Sequence, residues 1–244
     1  MAKLIVLEGT DGSGKETQSK LLVDKLNSVG IKSTIISFPM YDSPTGKIIG
    51  ACYLGKEEMC EDLLKDNKSF FKEGAPNVDP ITSSLLYAAD RRYNLPVLEN
   101  ARKDYDVIIL NRYIYSNMAH QAGKIENKSE RTYMFQMLDN LEFNVCRLPR
   151  PDKIIFLHVP YETALELRKK RKEKLDSNER SIEHLKNAEE TYLLLADYYG
   201  FDTINCINDN NKMRNAEDIH KDIYNIVKEI VEWCLVYFLS SYVE

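Results

Sequence analysis

Near its start the chain reads Gly9-Thr10-Asp11-Gly12-Ser13-Gly14-Lys15, the residue types and spacing of a loop that holds phosphate. Glycines let the backbone wrap an anion so that successive N–H groups point inward. A helix opening at Lys15 adds partial positive charge, and the Lys15 ammonium can reach a terminal phosphate. Such loops place Ser or Thr after the lysine, where a hydroxyl binds Mg²⁺. Here Glu16 takes that place and Thr17 follows. Either Glu16 ligates the metal through a carboxylate oxygen, which is a suitable hard donor, or it turns away and the metal is held otherwise.

The elements that would position this loop are visible in the hydropathy pattern. Apolar runs at 4–7, 31–37, 107–110 and 154–159, with a weaker one at 203–206, suit buried strands. Periodic segments at 15–28, 82–103, 161–172, 182–199 and 216–238 suit helices. Ser43-Pro44 and Asp79-Pro80 each put a capping side chain before a proline at a first helical position. Continuous apolar strands alternating with helices predict a single three-layer α/β domain over 1–244 with a five-stranded parallel sheet. Ligands are then expected beyond the carboxyl ends of the strands. Segments 169–178 and 208–215 read as irregular, the first dense in charge and the second rich in Asn.

Composition narrows the partners. Lys plus Arg is 33 and Asp plus Glu 38, a net charge of −5, which argues against a nucleic acid polymer. The longest apolar run, 233–239, is far short of the roughly 18 residues a bilayer span needs. No basic segment or cleavage site precedes residues 3–7, and the five cysteines lack CxxC spacing. A cytoplasmic protein without a zinc or disulfide framework is the expectation.

Further segments follow in order: Phe38-Pro39 ending the second strand, Tyr87-Ala88-Ala89-Asp90-Arg91 on a helix, Asn111-Arg112-Tyr113 after the third strand, Ser116-Asn117-Met118-Ala119-His120-Gln121, and Pro149-Arg150-Pro151-Asp152 before the fourth. Together with the loop, this set resembles thymidylate kinase, and the resemblance covers nearly the whole chain. It implies ATP-dependent phosphorylation of dTMP to dTDP, Mg²⁺, and a homodimer. ATP would meet Gly9, Gly12, Ser13, Gly14, Lys15, Glu16 and Thr17. Catalytic cations would be Lys15, Arg112 and, in a lid at about 169–181, Arg168 and Arg171. Gly12 leaves no basic residue inside the loop, as in members that carry arginine in the lid. For the acceptor, the resemblance implies Tyr87 stacked on thymine, Arg91 and Asn117 on the pyrimidine edge, Phe38 as a wall, His120 beside the sugar and Asp11 on its 3′-hydroxyl. Tyr41, Gln121 and Arg112 complete the pocket, and the Phe38–Pro39 bond is expected to be cis.

Three positions depart from the commonest pattern. Glu16 replaces Ser or Thr, Asn111 replaces Asp, and Tyr41 stands near where some members place an arginine on the acceptor phosphate. The first two keep the local charge at one negative, as if a carboxylate had moved from strand end to loop. Glu8 and Asn111 would then support the metal through water. A hydroxyl supplies no charge, so the acceptor phosphate would fall to Arg112 with Lys47 or Arg92. The competing readings are a related kinase with a nucleoside or another monophosphate as acceptor, and a catalytically weakened nucleotide binder. A nucleoside acceptor needs a general base, and Asn111-Arg112 offers none.

Overall fold

Alternate residues of each central strand enter different cores. Leu4, Val6, Ile108, Leu110 and Phe156 pack into one, and Ile5, Leu7, Val107, Ile109, Ile155 and Leu157 into the other. A strand buried on both faces has no polar side to show, which is why these runs read as continuous apolar. The chain is described by a computed structural model over residues 1–56, 59, 70–170 and 176–240, with backbone alone for 168–170 and 232–240. Strands β1 (Lys3–Glu8), β2 (Ser33–Ser37), β3 (Val107–Asn111), β4 (Lys153–His158) and β5 (Asp202–Asn205) form one parallel sheet in the order β2-β3-β1-β4-β5.

The helices are α1 (Lys15–Ser28), α2 (Pro44–Lys47), α3 (Pro80–Tyr93), α4 (Leu95–Asp104), α5 (Ile114–Ala122), α6 (Lys128–Asp139), α7 (Tyr161–Lys170), α8 (Ile182–Tyr199) and α9 (Ala216–Ser240). Helices α1 and α9 pack together against one face, and α5 packs against α3, α6 and α8 over the other. Both expected proline starts are capped: Ser43 Oγ accepts from Gly46 N–H at 3.0 Å and the Asp79 carboxylate from Thr82 N–H at 2.8 Å. No helix among the described residues is long and apolar enough to cross a membrane.

Two expectations need correction. The segment 82–103 is two helices, not one, because Pro96 has no N–H to continue the ladder and the chain re-caps at Asn94. The Asn94 amide donates to Asp90 O at 2.8 Å and so serves the end of α3. The second strand begins at Ser33 rather than residue 31, since Ile31 N–H is taken by Leu26 O and Lys32 N–H by the Asp106 carboxylate. Helix α5, absent from the helical segments read in the sequence, and α6 fill the layer above the sheet. Past α6 the chain continues directly into a π-helical turn, Asn140–Val145.

Glu8 ends β1 fully buried, and its carboxylate joins the sheet to α5. Oε1 accepts from Tyr113 N–H at 2.8 Å and Ser116 N–H at 3.1 Å; Oε2 accepts from the Ser116 hydroxyl at 2.5 Å and the Tyr192 hydroxyl at 3.0 Å. A carboxylate at a helix N-terminus satisfies N–H groups that have no intrahelical acceptor. Glu8→Ala is therefore expected to leave buried donors unpaired, at about 1–3 kcal/mol for each. Glu8→Gln should be milder, because its amide oxygen can serve the two backbone donors while the hydroxyls turn to accept. Urea denaturation of both variants checks the order.

Candidate functional site

The loop closes as its glycines require. Gly9, Gly12 and Gly14 have φ of 153°, 86° and 85°, a region that L side chains avoid. A Cβ on Gly9 would sit 2.6 Å from Ser13 Oγ and 2.7 Å from Leu157 O, so glycine is needed there for space as well. Lys15 is buried, and its ammonium donates to Gly9 O at 2.9 Å, Thr10 O at 2.8 Å and Ser13 Oγ at 3.3 Å. The Glu16 side chain is 75% exposed and pairs with Lys20 at 2.6 Å, one helical turn on. Thr17 is exposed on the same helix.

Strand pairing brings Arg112 to this loop. Asn111 lies opposite Leu7, and Arg112 N–H continues the ladder to Leu7 O at 3.1 Å. Arg112 then adopts a left-handed φ of 66°, a conformation that costs a non-glycine residue energy and is found where geometry matters more than comfort. Its guanidinium donates to Gly9 O at 3.3 Å and Ser116 Oγ at 3.1 Å, and pairs with the Asp11 carboxylate. Burial opposes that charge, but Asp11, joined by Tyr192, Glu8 and Tyr41, holds the guanidinium pKa above its usual value.

Beside Arg112 lies a cavity that gathers the residues the resemblance implies for the acceptor pocket: Asp11, Phe38, Tyr41, Tyr87, Arg91, Arg112, Asn117, His120 and Gln121. Four elements build it. The cis Phe38–Pro39 peptide turns the chain out of β2, and the Asp90 carboxylate fixes the next turn through Met40 N–H at 3.0 Å and Thr45 Oγ1 at 2.8 Å. Helix α3 brings Tyr87 and Arg91; α5 brings Ser116, Asn117, His120 and Gln121; the segment before α8 adds Asp176 and Asn178. Asn117 Oδ1, both amide atoms of Gln121 and Asn178 Oδ1 are buried with no hydrogen-bond partner among the described residues. Unpaired buried polar atoms are costly, and several facing one cavity mark a polar ligand site.

The charges around it are held from behind. Arg91 and Glu142 are almost wholly buried and form a two-pronged pair, Nε to Oε2 at 2.7 Å and Nη2 to Oε1. Burial opposes the Arg91 charge, yet Glu142 keeps the pKa raised. Asn117 Nδ2 adds a bond to the same carboxylate at 3.2 Å and one to Ser84 O at 3.1 Å. His120 Nδ1 meets His184 Nε2 of α8 at 3.0 Å with the rings stacked. Burial, then His184, pushes His120 well below the ordinary histidine value; burial, then Lys124, lowers His184 to about 4. Lys124, past α5, donates to Ala75 O and Val78 O at 2.9 Å, and burial lowers it to about 8.

Several expected residues lie elsewhere. Lys47 is exposed, and exposed Arg92 donates to Cys146 O at 3.2 Å; neither lines the cavity. Glu8 does not fit a metal role through water, because both its oxygens already hold the α5 terminus out of solvent. Asn111 Oδ1 is buried at the strand end without a partner among the described residues. The Arg168 side chain and Arg171 lie outside the described residues. Glu142, Asp90, Lys124 and His184 went unread in the sequence. Each acts through a partner at least 40 positions away or on another helix, and no local pattern signals that.

A loop for one phosphate chain joined by a shared arginine to a polar cavity defines a nucleotide phosphotransferase of the phosphate-loop class. The thymidylate kinase family model matches residues 7–223, and the chain belongs to that family. A probable thymidylate kinase of Methanocaldococcus jannaschii is 34% identical over 93% of this chain and 96% of its own length. Probable thymidylate kinase 1 of Saccharolobus solfataricus is 31% identical over 87% and 93%. The solved thymidylate kinase of Candida albicans, 23% identical, superposes with a TM-score of 0.65 over 93% of this chain and 92% of that one, which supports the fold. Family members phosphorylate dTMP to dTDP with ATP, and this chain is a dTMP kinase on that ground.

Two outcomes test the site. Glu142→Ala is expected to lower stability by roughly 3–5 kcal/mol, since it strands a buried guanidinium. Arg91→Met combined with Glu142→Leu should recover most of that stability while dTMP binding stays lost, as urea curves and dTMP titrations would read. The second concerns pH. Unfolded histidine titrates near 6.5 and His184 near 4 when folded, so between those values the unfolded chain binds more protons. Stability should therefore fall as pH drops from about 6.5 towards 4, and His184→Gln should flatten that slope in thermal melts across pH.

Proposed function

We propose that ATP lays its phosphates on residues 9–17, that dTMP fills the cavity, and that Arg112 bridges the two. The observation that carries this reading is the double contact of Arg112, to the loop at Gly9 O and to the cavity at Ser116 and Asp11. The acceptor phosphate oxygen is already a nucleophile. It forms a bond to the γ-phosphorus as the bond to the β,γ-bridging oxygen breaks, and no general base is required. The protein's task is alignment and charge neutralisation. Lys15 exchanges loop carbonyls for phosphate oxygens. Arg112 shifts part of its pairing from Asp11 to phosphate, leaving that carboxylate to accept from the sugar 3′-hydroxyl. Tyr87 stacks on the base, Arg91 and Asn117 meet its edge, Phe38 walls it, and His120 and Gln121 flank the sugar. Arg168 and Arg171 close over the transferring group from the lid.

Mg²⁺ accompanies ATP and tempers the repulsion between the two phosphate groups. The residue fitted to meet it or its water shell is Asn111, a hard oxygen buried beside the loop without a partner among the described residues. Glu16 would serve only by leaving Lys20. The enzyme acts in the cytoplasm as a homodimer; exposed Ile81 and Leu85 on α3 and Tyr133 on α6 offer apolar surface for pairing. A kinase with a nucleoside acceptor is disfavoured because a 5′-hydroxyl needs a general base, and Asn111 and Arg112 at the strand end offer none.

The test is ADP release across a panel of nucleosides and monophosphates with Mg²⁺ and ATP. dTMP should stimulate turnover most, and Arg112→Met should reduce kcat at least a hundredfold, about 2.7 kcal/mol of transition-state stabilisation. ATP binding without dTMP-dependent turnover would leave a nucleotide binder instead.

A further inference from the structure

The cavity's described walls carry Arg91 and Arg112 against Asp11 and Asp176. Two positive charges facing two negative ones leave nothing over for a phosphate dianion. Arg91 is moreover held by Glu142. A second cation must reach the acceptor phosphate from outside this lining.

Lys56 is in position to do so. Its ammonium lies 4.3 Å from the centroid of the Tyr41 ring, and Tyr41 lines the cavity. The backbone places it there: Lys56 N–H donates to Gly50 O at 2.9 Å, Leu54 N–H to Ile49 O at 2.8 Å, and Ser177 N–H to Leu54 O at 3.1 Å. These bonds tie Lys56 to the π-helical turn Ile48–Tyr53 and to the segment that carries Asp176. Burial raises the Tyr41 hydroxyl pKa, whereas Lys56, through charge and a hydrogen bond, and Arg112, through charge, act to lower it. One hydroxyl thus feels both cations. The Asp176 carboxyl stands in the same field. Burial, then Asp11 and Glu179, raises it to about 6, while Lys56 stabilises its charge.

We propose that Lys56 and Tyr41 together read the acceptor phosphate. Lys56 supplies the charge, Tyr41 donates the directional hydrogen bond, and Asp176 gives way to the incoming phosphate. A lysine is a point charge with rotatable donors, so a neighbouring hydroxyl supplies the direction that a forked arginine would provide alone. This inference rests on the dTMP kinase reading and names the group that makes the site choose a phosphorylated acceptor.

The experiment compares wild type, Lys56→Met, Lys56→Arg and Tyr41→Phe. It measures kcat, KM for dTMP and for ATP, and calorimetric Kd for dTMP and for thymidine, which has the base and sugar but no phosphate. Lys56→Met is expected to raise KM and Kd for dTMP at least tenfold, with kcat lowered less than threefold and thymidine Kd and ATP KM unchanged. Lys56→Arg should restore dTMP binding to within threefold of wild type, and Tyr41→Phe should weaken dTMP binding threefold or more without affecting thymidine. Equal loss of thymidine and dTMP binding in Lys56→Met would make Lys56 a shape-holding residue and overturn the proposal, as would unchanged dTMP affinity. Wild type without dTMP-dependent turnover would instead overturn the kinase reading beneath it, a result visible before any variant is made.

Discussion

The site depends first on one buried carboxylate. Glu8 is the last residue of β1, so the phosphate loop begins where it ends. The same side chain receives the first N–H groups of α5, the helix carrying Ser116, Asn117, His120 and Gln121. The phosphate loop and the cavity are therefore positioned from a single point. Transfer between two bound anions tolerates little misplacement, and a shared anchor keeps their relative placement from drifting with the motions of either part. Tyr192 extends the link to α8, whose approach supplies Asp176 and Asn178.

Around that anchor the charges are arranged in pairs that face a ligand on one side and a fixed partner on the other. Arg91 has Glu142 behind it and Arg112 has Asp11 beside it. Such pairing is a poor way to gain stability, because the desolvation of two ions consumes most of their attraction. Its value is orientation. A guanidinium already held in plane loses little freedom when a pyrimidine edge or phosphate arrives, and that preorganisation is where much of catalytic electrostatics originates. The neutral His120–His184 pair does the same with ring orientation instead of charge.

The sequence was most legible where chemistry is local. The phosphate loop is seven contiguous residues whose glycines and lysine each have a steric or electrostatic reason, and the sheet announces itself through uninterrupted apolar runs. The acceptor residues were legible through a resemblance spread over four separate segments, and the fold brings them to one cavity. What stayed hidden is what acts at a distance. Glu142 sits in a π-helical turn 51 positions from Arg91, and nothing in Asn140-Leu141-Glu142 distinguishes a buried ion from a solvated one. Lys56 depends on its folded proximity to Tyr41. Glu16 is a further case: a chemically suitable ligand at the expected position whose side chain pairs with Lys20 one turn away, a contact that the local sequence does not decide.

Lys15 invites a last consideration. Its ammonium rests on the carbonyls of Gly9 and Thr10, within the loop it closes. The side chain thus cross-links the loop's own backbone through its carbonyl oxygens. A loop templated by its own lysine need not collapse when product departs or be rebuilt when substrate returns, so the entropy of shaping it is met once, at folding. The corollary is competition: each incoming nucleotide must outbid three existing hydrogen bonds, which weakens affinity and hastens release, a useful trade for a catalyst that must let go.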